Sequence, residues 1–284
     1  MGLLQILLLA LVQALTEFLP VSSSGHLVLA SLLLGWAYQG LAFDLALHVG
    51  TLLAVVLYFR RDVLAIVGAV LAWRPGTALT PTQRLGFGLA LGTFPGALAG
   101  LLLGDSGALV LRHPLLIAGN LIVFGLLLGY AGRRAPEPAP RSATLSEGSD
   151  AADAVFAGMS MRHALLIGCA QALALMPGVS RSGATMTAAL LLGWDRVAAA
   201  RYAFLLSIPI MLLAGGYEAL QLVQSDEAIQ WGALALGAAV AALAGLGVIH
   251  LFLGILRRIG VAPFVVYRVL LGALVIGWWL LVGG

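Results

Sequence analysis

The sequence predicts an all-α polytopic membrane protein: an inverted-topology repeat with six transmembrane spans and two re-entrant helical hairpins. Three observations carry that prediction. Of the 284 residues, 61% are hydrophobic and only 10% charged, where a soluble domain carries about a quarter charged. Long apolar stretches in lipid leave the helix as the way to satisfy backbone N–H and C=O groups. A polar, proline-broken stretch, QALTEFLPVSSSG at 13–25, returns as QALALMPGVSRSG at 171–183, with Gln, Ala, Leu, Val, two Ser and Gly in gapless register. The fifteen basic residues, all arginine, gather in alternate connections between apolar runs.

Residues 3–18 read as an apolar helix too short to span comfortably, carrying Gln13 and Glu17 and stopped at Pro20, since proline lacks the amide donor and disfavours helix in the residue before it. A second short helix is expected from about Ser23 to Leu34, and the pair reads as a re-entrant hairpin. Spans follow at about 41–59, 84–104 and 114–132, near the ~20 residues a bilayer needs. Residues 133–160, rich in Pro, Ala and Ser, read as a flexible linker. The plan then repeats, with a broken hairpin at about 161–175 and 181–192 and spans at about 197–221, 229–256 and 262–282. The chain thus divides into a first repeat, 1–132, a cytoplasmic linker, 133–160, and a second repeat, 161–284. The N-terminus has no basic region ahead of its apolar run, so no cleaved signal peptide is read.

Arginine sets the orientation. Arg60, Arg61, Arg74 and Arg84 lie in the loop between the first two spans, and Arg133, Arg134, Arg141 and Arg162 in and beside the linker. Arg196 and Arg201 flank the turn after the second hairpin, and Arg257 and Arg258 the turn before the last span. The opposite connections, 36–41, 105–113 and 222–230, hold only Arg112. The first group is expected in the cytoplasm. Each half has a hairpin and three spans, an odd number, so the halves are inverted relative to each other, and the broken helices are expected to meet near the midplane. The net charge of +3 is modest and its arginines sit at helix ends, which argues against nucleic acid as a partner. One cysteine, Cys169, permits no internal disulfide and no thiolate metal cluster.

The polar residues at the breaks suggest phosphoryl chemistry. Gln13 and Glu17, four apart, share a helix face. Ser22 and Ser23 start the next helix, where serine caps well and free amides favour an anion. His26 follows three residues on, so Glu17, Ser23 and His26 are expected to converge. In the second hairpin Ser180, Arg181, Ser182 and Gly183 open the matching helix, and Arg181 brings a forked, permanent cation suited to phosphate. Plainer readings compete. A serine in a membrane helix often bonds its own backbone or a neighbouring helix, and for Ser24 and Ser182 that reading is preferred. Glu17 and Arg181 read as functional because ionisable groups at membrane depth are expensive, the alternative being a structural ion pair. Asp44 and His48, four apart, begin the first span and read as an outer cation or headgroup contact, or as a cap.

TEFLPVSSSGH together with PGVSRSG resembles the bacterial undecaprenyl-diphosphate phosphatase family, the bacitracin-resistance type, over essentially the whole chain. The resemblance implies hydrolysis of undecaprenyl diphosphate to undecaprenyl phosphate and inorganic phosphate, recycling the carrier lipid of peptidoglycan synthesis in the plasma membrane. It places Gln13 and Glu17 on the family's (Glu or Gln)-x-x-x-Glu pattern, Ser23 and His26 on its serine and histidine, and Arg181 on the arginine of its second motif. Gln13 stands where many members have a glutamate, which removes one carboxylate from any metal site. The family's association with divalent cations implies Mg2+ or Ca2+, with Glu17 as the ligand. The expected catalytic residues are thus Ser23, Glu17, His26 and Arg181. Gln13, Ser22, Ser180, Ser182 and Gly183 are expected to bind a polyprenyl diphosphate drawn from the membrane lipid, on the extracytoplasmic side. Ser23 would attack phosphorus with His26 or Glu17 as proton acceptor, or Glu17 would activate water directly. A lipid-phosphate transporter or flippase built on the same inverted repeat is the second reading. The sequence leaves monomer or homodimer open.

Overall fold

The computed structural model describes residues 2–23, 25–27, 36, 40–110, 113–137, 156, 158–224 and 230–282, with the side chains of 104–110 and 282 left undescribed. Ser24, most of the expected 23–34 helix and residues 138–155 of the linker therefore lie outside the described residues. Within them the protein is all helical: α1 (Leu3–Phe18), α2 (Leu41–Tyr58), α3 (Arg60–Leu71), α4 (Pro81–Val110), α5 (Pro114–Arg134), α6 (Met161–Leu173), α7 (Arg181–Leu191), α8 (Arg196–Val223), α9 (Trp231–Arg258) and α10 (Ala262–Val282). Six of these, α2, α4, α5, α8, α9 and α10, are long and apolar enough to cross a membrane. α1 is apolar but short.

Capping fixes several of the helix starts. The Asp195 carboxylate accepts the first free amides of α8, from Val197 and Ala198, at 2.9 Å each. Ser160 accepts from His163 at the start of α6, and Ser180 accepts from Gly183 at the start of α7. α1 ends where Leu19 turns to extended backbone ahead of Pro20.

Six of the packing pairs fall into matched sets. α1 lies on α9 and α6 on α4; α2 runs along α9 and α8 along α4; α5 packs on α10 and α2 on α8. Exchanging α1 with α6, α2 with α8, α4 with α9 and α5 with α10 returns the same set. Small residues permit the closest approaches: a Cβ on Gly50 would strike the Ala238 carbonyl across the α2–α9 seam, and one on Gly168 would strike Gly92 across α4–α6. The core is centred on Phe18 at the end of α1, packed edge-on against Phe204, which in turn meets Phe252 of α9.

Three expectations are corrected. Residues 60–71 form a helix, α3, not a loop: Asp62 and Ile66 are buried while Leu64, Val67 and Leu71 face outward. Twelve residues give about 18 Å of helix, too short to cross a bilayer. α4 runs on to Val110, past the expected end at 104. Arg201 is not an interfacial charge. It is buried and paired with Asp62 at 2.9 Å, tying α8 to α3.

Candidate active site

The breaks that follow α1 and α6 meet. Beyond α1 the backbone turns sharply, with Ser22 at φ 79°, and Ser180 ahead of α7 has φ 71°. These are the described non-glycine residues with positive φ. They occupy the same position in the two copies of the sequence repeat, so both halves hold the same strained turn. The Ser22 hydroxyl accepts from the Gly178 amide at 3.1 Å, and the Ser182 hydroxyl donates to the Leu19 carbonyl at 3.1 Å. Each hairpin's unpaired backbone is thus partly satisfied by the other.

Between the tips lies Glu17, buried at 8% exposure. One carboxylate oxygen accepts from the Ser23 hydroxyl at 2.7 Å and from the Gln13 amide at 3.2 Å. The other accepts from Arg181 Nη2 at 2.7 Å. Two bonds across a single carboxylate keep the Ser23 oxygen and the guanidinium within about 8 Å of each other. Among the described residues, Arg181 Nη1 is buried with no hydrogen-bond partner, as is Gln13 Oε1. A cavity of about 210 Å³ opens on this group, with Glu17, Ser22, Ser23, His48, Ser180 and Arg181 as its polar wall. Ala174 with Ile210, Met211 and Ala214 of α8 makes an apolar one.

The structure therefore brings Gln13, Glu17, Ser22, Ser23, Ser180, Arg181 and Ser182 together. His26 departs from expectation. Its Nδ1 is 2.7 Å from the Ser22 carbonyl, which can only accept, so Nδ1 carries a proton. Its Nε2 is 2.6 Å from the Tyr267 hydroxyl, and the two rings stack. Both ring nitrogens are occupied away from Ser23, and His26 is not among the residues lining the cavity. Ser182 and Gly183 are also committed to structure. The Ser182 hydroxyl binds the Leu19 carbonyl and the Gly183 amide binds Ser180.

Two residues carry more of the site than the sequence suggested. His48, read as an outer contact, lines the cavity within electrostatic reach of Glu17, with Nδ1 donating to the Asp44 carbonyl at 2.8 Å. Arg268, from the last span, is fully buried and donates to the Pro20 and Gly178 carbonyls at the two tips. The rule that singles out Glu17 and Arg181, an ionisable group at membrane depth, singles out Arg268 equally.

The donor set does not fit a resident metal. Among the described residues no three His, Cys, Asp or Glu side chains come together as a cation site. The carboxylate at the centre, Glu17, has both oxygens engaged. Mg2+ and Ca2+ call for several oxygen ligands, and the one carboxylate lining this cavity is already paired with Arg181.

The comparisons with known proteins bear on the family. The family described as Bacitracin resistance protein BacA matches residues 6–274. A protein named undecaprenyl-diphosphatase 2 from Stutzerimonas stutzeri is 47% identical over 97% of this chain and 98% of its own length. An undecaprenyl-diphosphatase of Thioalkalivibrio sulfidiphilus is 49% identical over 96% and 97%, and one of Chromohalobacter salexigens 47% over 97% and 98%. With the breaks after α1 and α6 meeting at Glu17 and a match that runs almost end to end, the chain belongs to the BacA family of bacitracin resistance proteins.

Proposed function

We propose that the protein is an integral membrane phosphatase that hydrolyses undecaprenyl diphosphate to undecaprenyl phosphate and inorganic phosphate, returning the carrier lipid to peptidoglycan synthesis and thereby conferring bacitracin resistance. The observation that carries this reading is the 2.7 Å bond from the Ser23 hydroxyl to Glu17, with Arg181 on the same carboxylate. A nucleophile, a base and a phosphate ligand share one buried group.

Ser23 Oγ attacks the terminal phosphorus while Glu17 takes its proton. The bond to the bridging oxygen breaks and its electron pair leaves on undecaprenyl phosphate. Arg181, with Nη1 spare, turns to the equatorial oxygens, where the transferring group concentrates its charge. Water then displaces the phosphoryl group from Ser23, its protons leaving on the released phosphate, and Glu17 returns its own proton to the serine oxygen. Glu17 serves as acceptor in preference to His26, whose nitrogens are turned to Ser22 and Tyr267. His26 instead steadies the turn that presents Ser23. The apolar wall of Ile210, Met211, Ala214 and Ala174 suits the first isoprene units. No step runs through Mg2+ or Ca2+. The two substrate phosphates are the ligands a cation would find in this cavity.

Two coarser features belong to the same proposal. The self-matching set of packing pairs and the shared positive-φ serines support two inverted halves, 1–132 and 161–284, joined by a cytoplasmic linker. The site is read as extracytoplasmic. His48 lies in the half of α2 nearer Leu41, and Ala214 in the half of α8 nearer Val223. Arg60, Arg196 and Arg257 sit at the opposite ends of α2, α8 and the adjoining α9.

The test is a covalent trap. Purified protein in detergent, given substrate labelled on its terminal phosphate and quenched in acid, should carry label on Ser23. Release of phosphate with no labelled serine at any time point would replace the covalent route with direct water attack. Because detergent leaves no sealed compartment, phosphate release also separates hydrolysis from the transporter reading, which the diphosphatase relatives do not favour.

A further inference from the structure

Resting on the shared-site reading above, we infer that Arg268 is a positioning residue for the reaction, a single cation that sets the tips of both hairpins against each other through their carbonyl oxygens. Arg268 is 0% exposed. Its guanidinium makes five contacts, all to backbone carbonyls: Nη1 to Pro20 at 3.0 Å, Nη2 to Gly178 at 2.8 Å, Val179 at 3.0 Å and Asn120 at 3.3 Å, and Nε to Leu121 at 3.1 Å. Pro20 and Gly178 are the same position in the two repeats. The cation therefore joins equivalent points of the two tips, two residues ahead of the strained serines Ser22 and Ser180.

The chemistry explains why an arginine stands there. The tip carbonyls, Pro20 beyond α1 and Gly178 and Val179 beyond α6, stand outside the helical ladders and would be costly to bury unpaired. A planar fork with five N–H donors can serve several at once, whereas an ammonium is a compact point donor. No carboxylate is paired with Arg268 among the described residues, so the carbonyls solvate the charge. Glu17 and Arg181 neutralise each other, which leaves Arg268 as a buried positive charge beneath an anion site. The guanidinium also lies against the first turn of α7, where a Cβ on Gly183 would come within 2.9 Å of Nη1. A displaced Arg268 would loosen the carbonyls of Pro20, Gly178 and Val179 together, moving Ser23 and Arg181 relative to each other. It would not remove any group that touches substrate.

The experiment is steady-state kinetics on the full chain in detergent, with turnover normalised to folded protein, for Arg268→Lys, Gly125→Ala and, in parallel, Ser23→Ala. Arg268→Lys keeps the charge and loses the fork. Gly125 lies on α5 away from the tips, and a Cβ there would press on Arg268 at 3.1 Å, shifting it by a few tenths of an ångström. Arg268→Lys should lower kcat by about 10²-fold, the scale of a misplacement of roughly 1 Å, and Gly125→Ala by a smaller factor, with KM nearly unchanged in both. A purely structural arginine would reduce the folded yield or the melting temperature and leave kcat per folded molecule intact. That result, or a loss confined to KM, overturns the inference. Should Arg268→Lys not fold, Gly125→Ala decides by the same split. Ser23→Ala separates the two ideas. If it retains turnover, the serine route of the proposed function fails, and Arg268 is then judged by its own two variants. If it is inactive while Arg268→Lys and Gly125→Ala are normal, only the role of Arg268 is lost.

Discussion

At the scale of single residues the site is organised around one carboxylate. Glu17 holds Ser23 on one oxygen and Arg181 on the other, so each partner's loss should read out differently. Ser23→Ala removes the nucleophile and leaves the Glu17–Arg181 pair in place. Turnover should fall by at least about 10³-fold, as when a nucleophile is deleted from a catalytic unit, with binding of lipid diphosphate retained in a direct binding assay. Near-normal phosphate release would put water in the serine's place. Arg181→Lys keeps the charge yet cannot bridge Glu17 and a phosphate with a planar fork. A loss of roughly 10²-fold in kcat is expected, comparable to removing one donor from an oxyanion site. Wild-type kinetics in that variant would reduce Arg181 to a point charge. The structural-ion-pair alternative accounts for the Glu17–Arg181 contact, but not for the serine on the other oxygen or for the cavity that opens on the group.

At the scale of elements, the helices that carry no chemistry hold those that do. α8 contributes Ile210, Met211 and Ala214 to the cavity wall and is anchored to α3 by the buried Asp62–Arg201 pair. Removing one partner of such a pair strands the other charge, which costs about 3–5 kcal/mol. Asp62→Ala should therefore lower the thermal stability of the purified protein markedly, while the turnover of the folded fraction stays near normal. Unchanged thermal unfolding would show that the pair is not buried in solution. α3 also shows why this contact was not legible in advance. Its arginines and short apolar run satisfy the rule for a cytoplasmic loop. Only the packed partner reveals that Asp62 faces inward.

For the whole molecule, the proposed sidedness can be checked from outside the cell. In a Cys169→Ser background, single cysteines at the exposed positions Gln230 and Thr77 mark the two faces. Gln230→Cys should react with an impermeant thiol reagent on intact spheroplasts, and Thr77→Cys only after the membrane is opened. The reverse pattern would place the site in the cytoplasm and contradict the arginine argument.

The sequence alone determined the class, the six spans, the two breaks and the family resemblance. Hydropathy, proline and the arginine bias act locally, and a motif is contiguous in the chain. It also determined that Glu17, Ser23 and Arg181 belong together, because a repeated polar break at membrane depth demands a partner in the other half. The tertiary structure decided what depends on which way a side chain turns. His26 faces Tyr267 rather than Ser23, His48 reaches the cavity from α2, and Arg201 leaves the interface for Asp62. Arg268 gathers carbonyls from residues 20, 120, 121, 178 and 179. Those oxygens are brought within one guanidinium's reach only by the fold, since a backbone carbonyl carries no mark in the sequence of whether its own helix has used it.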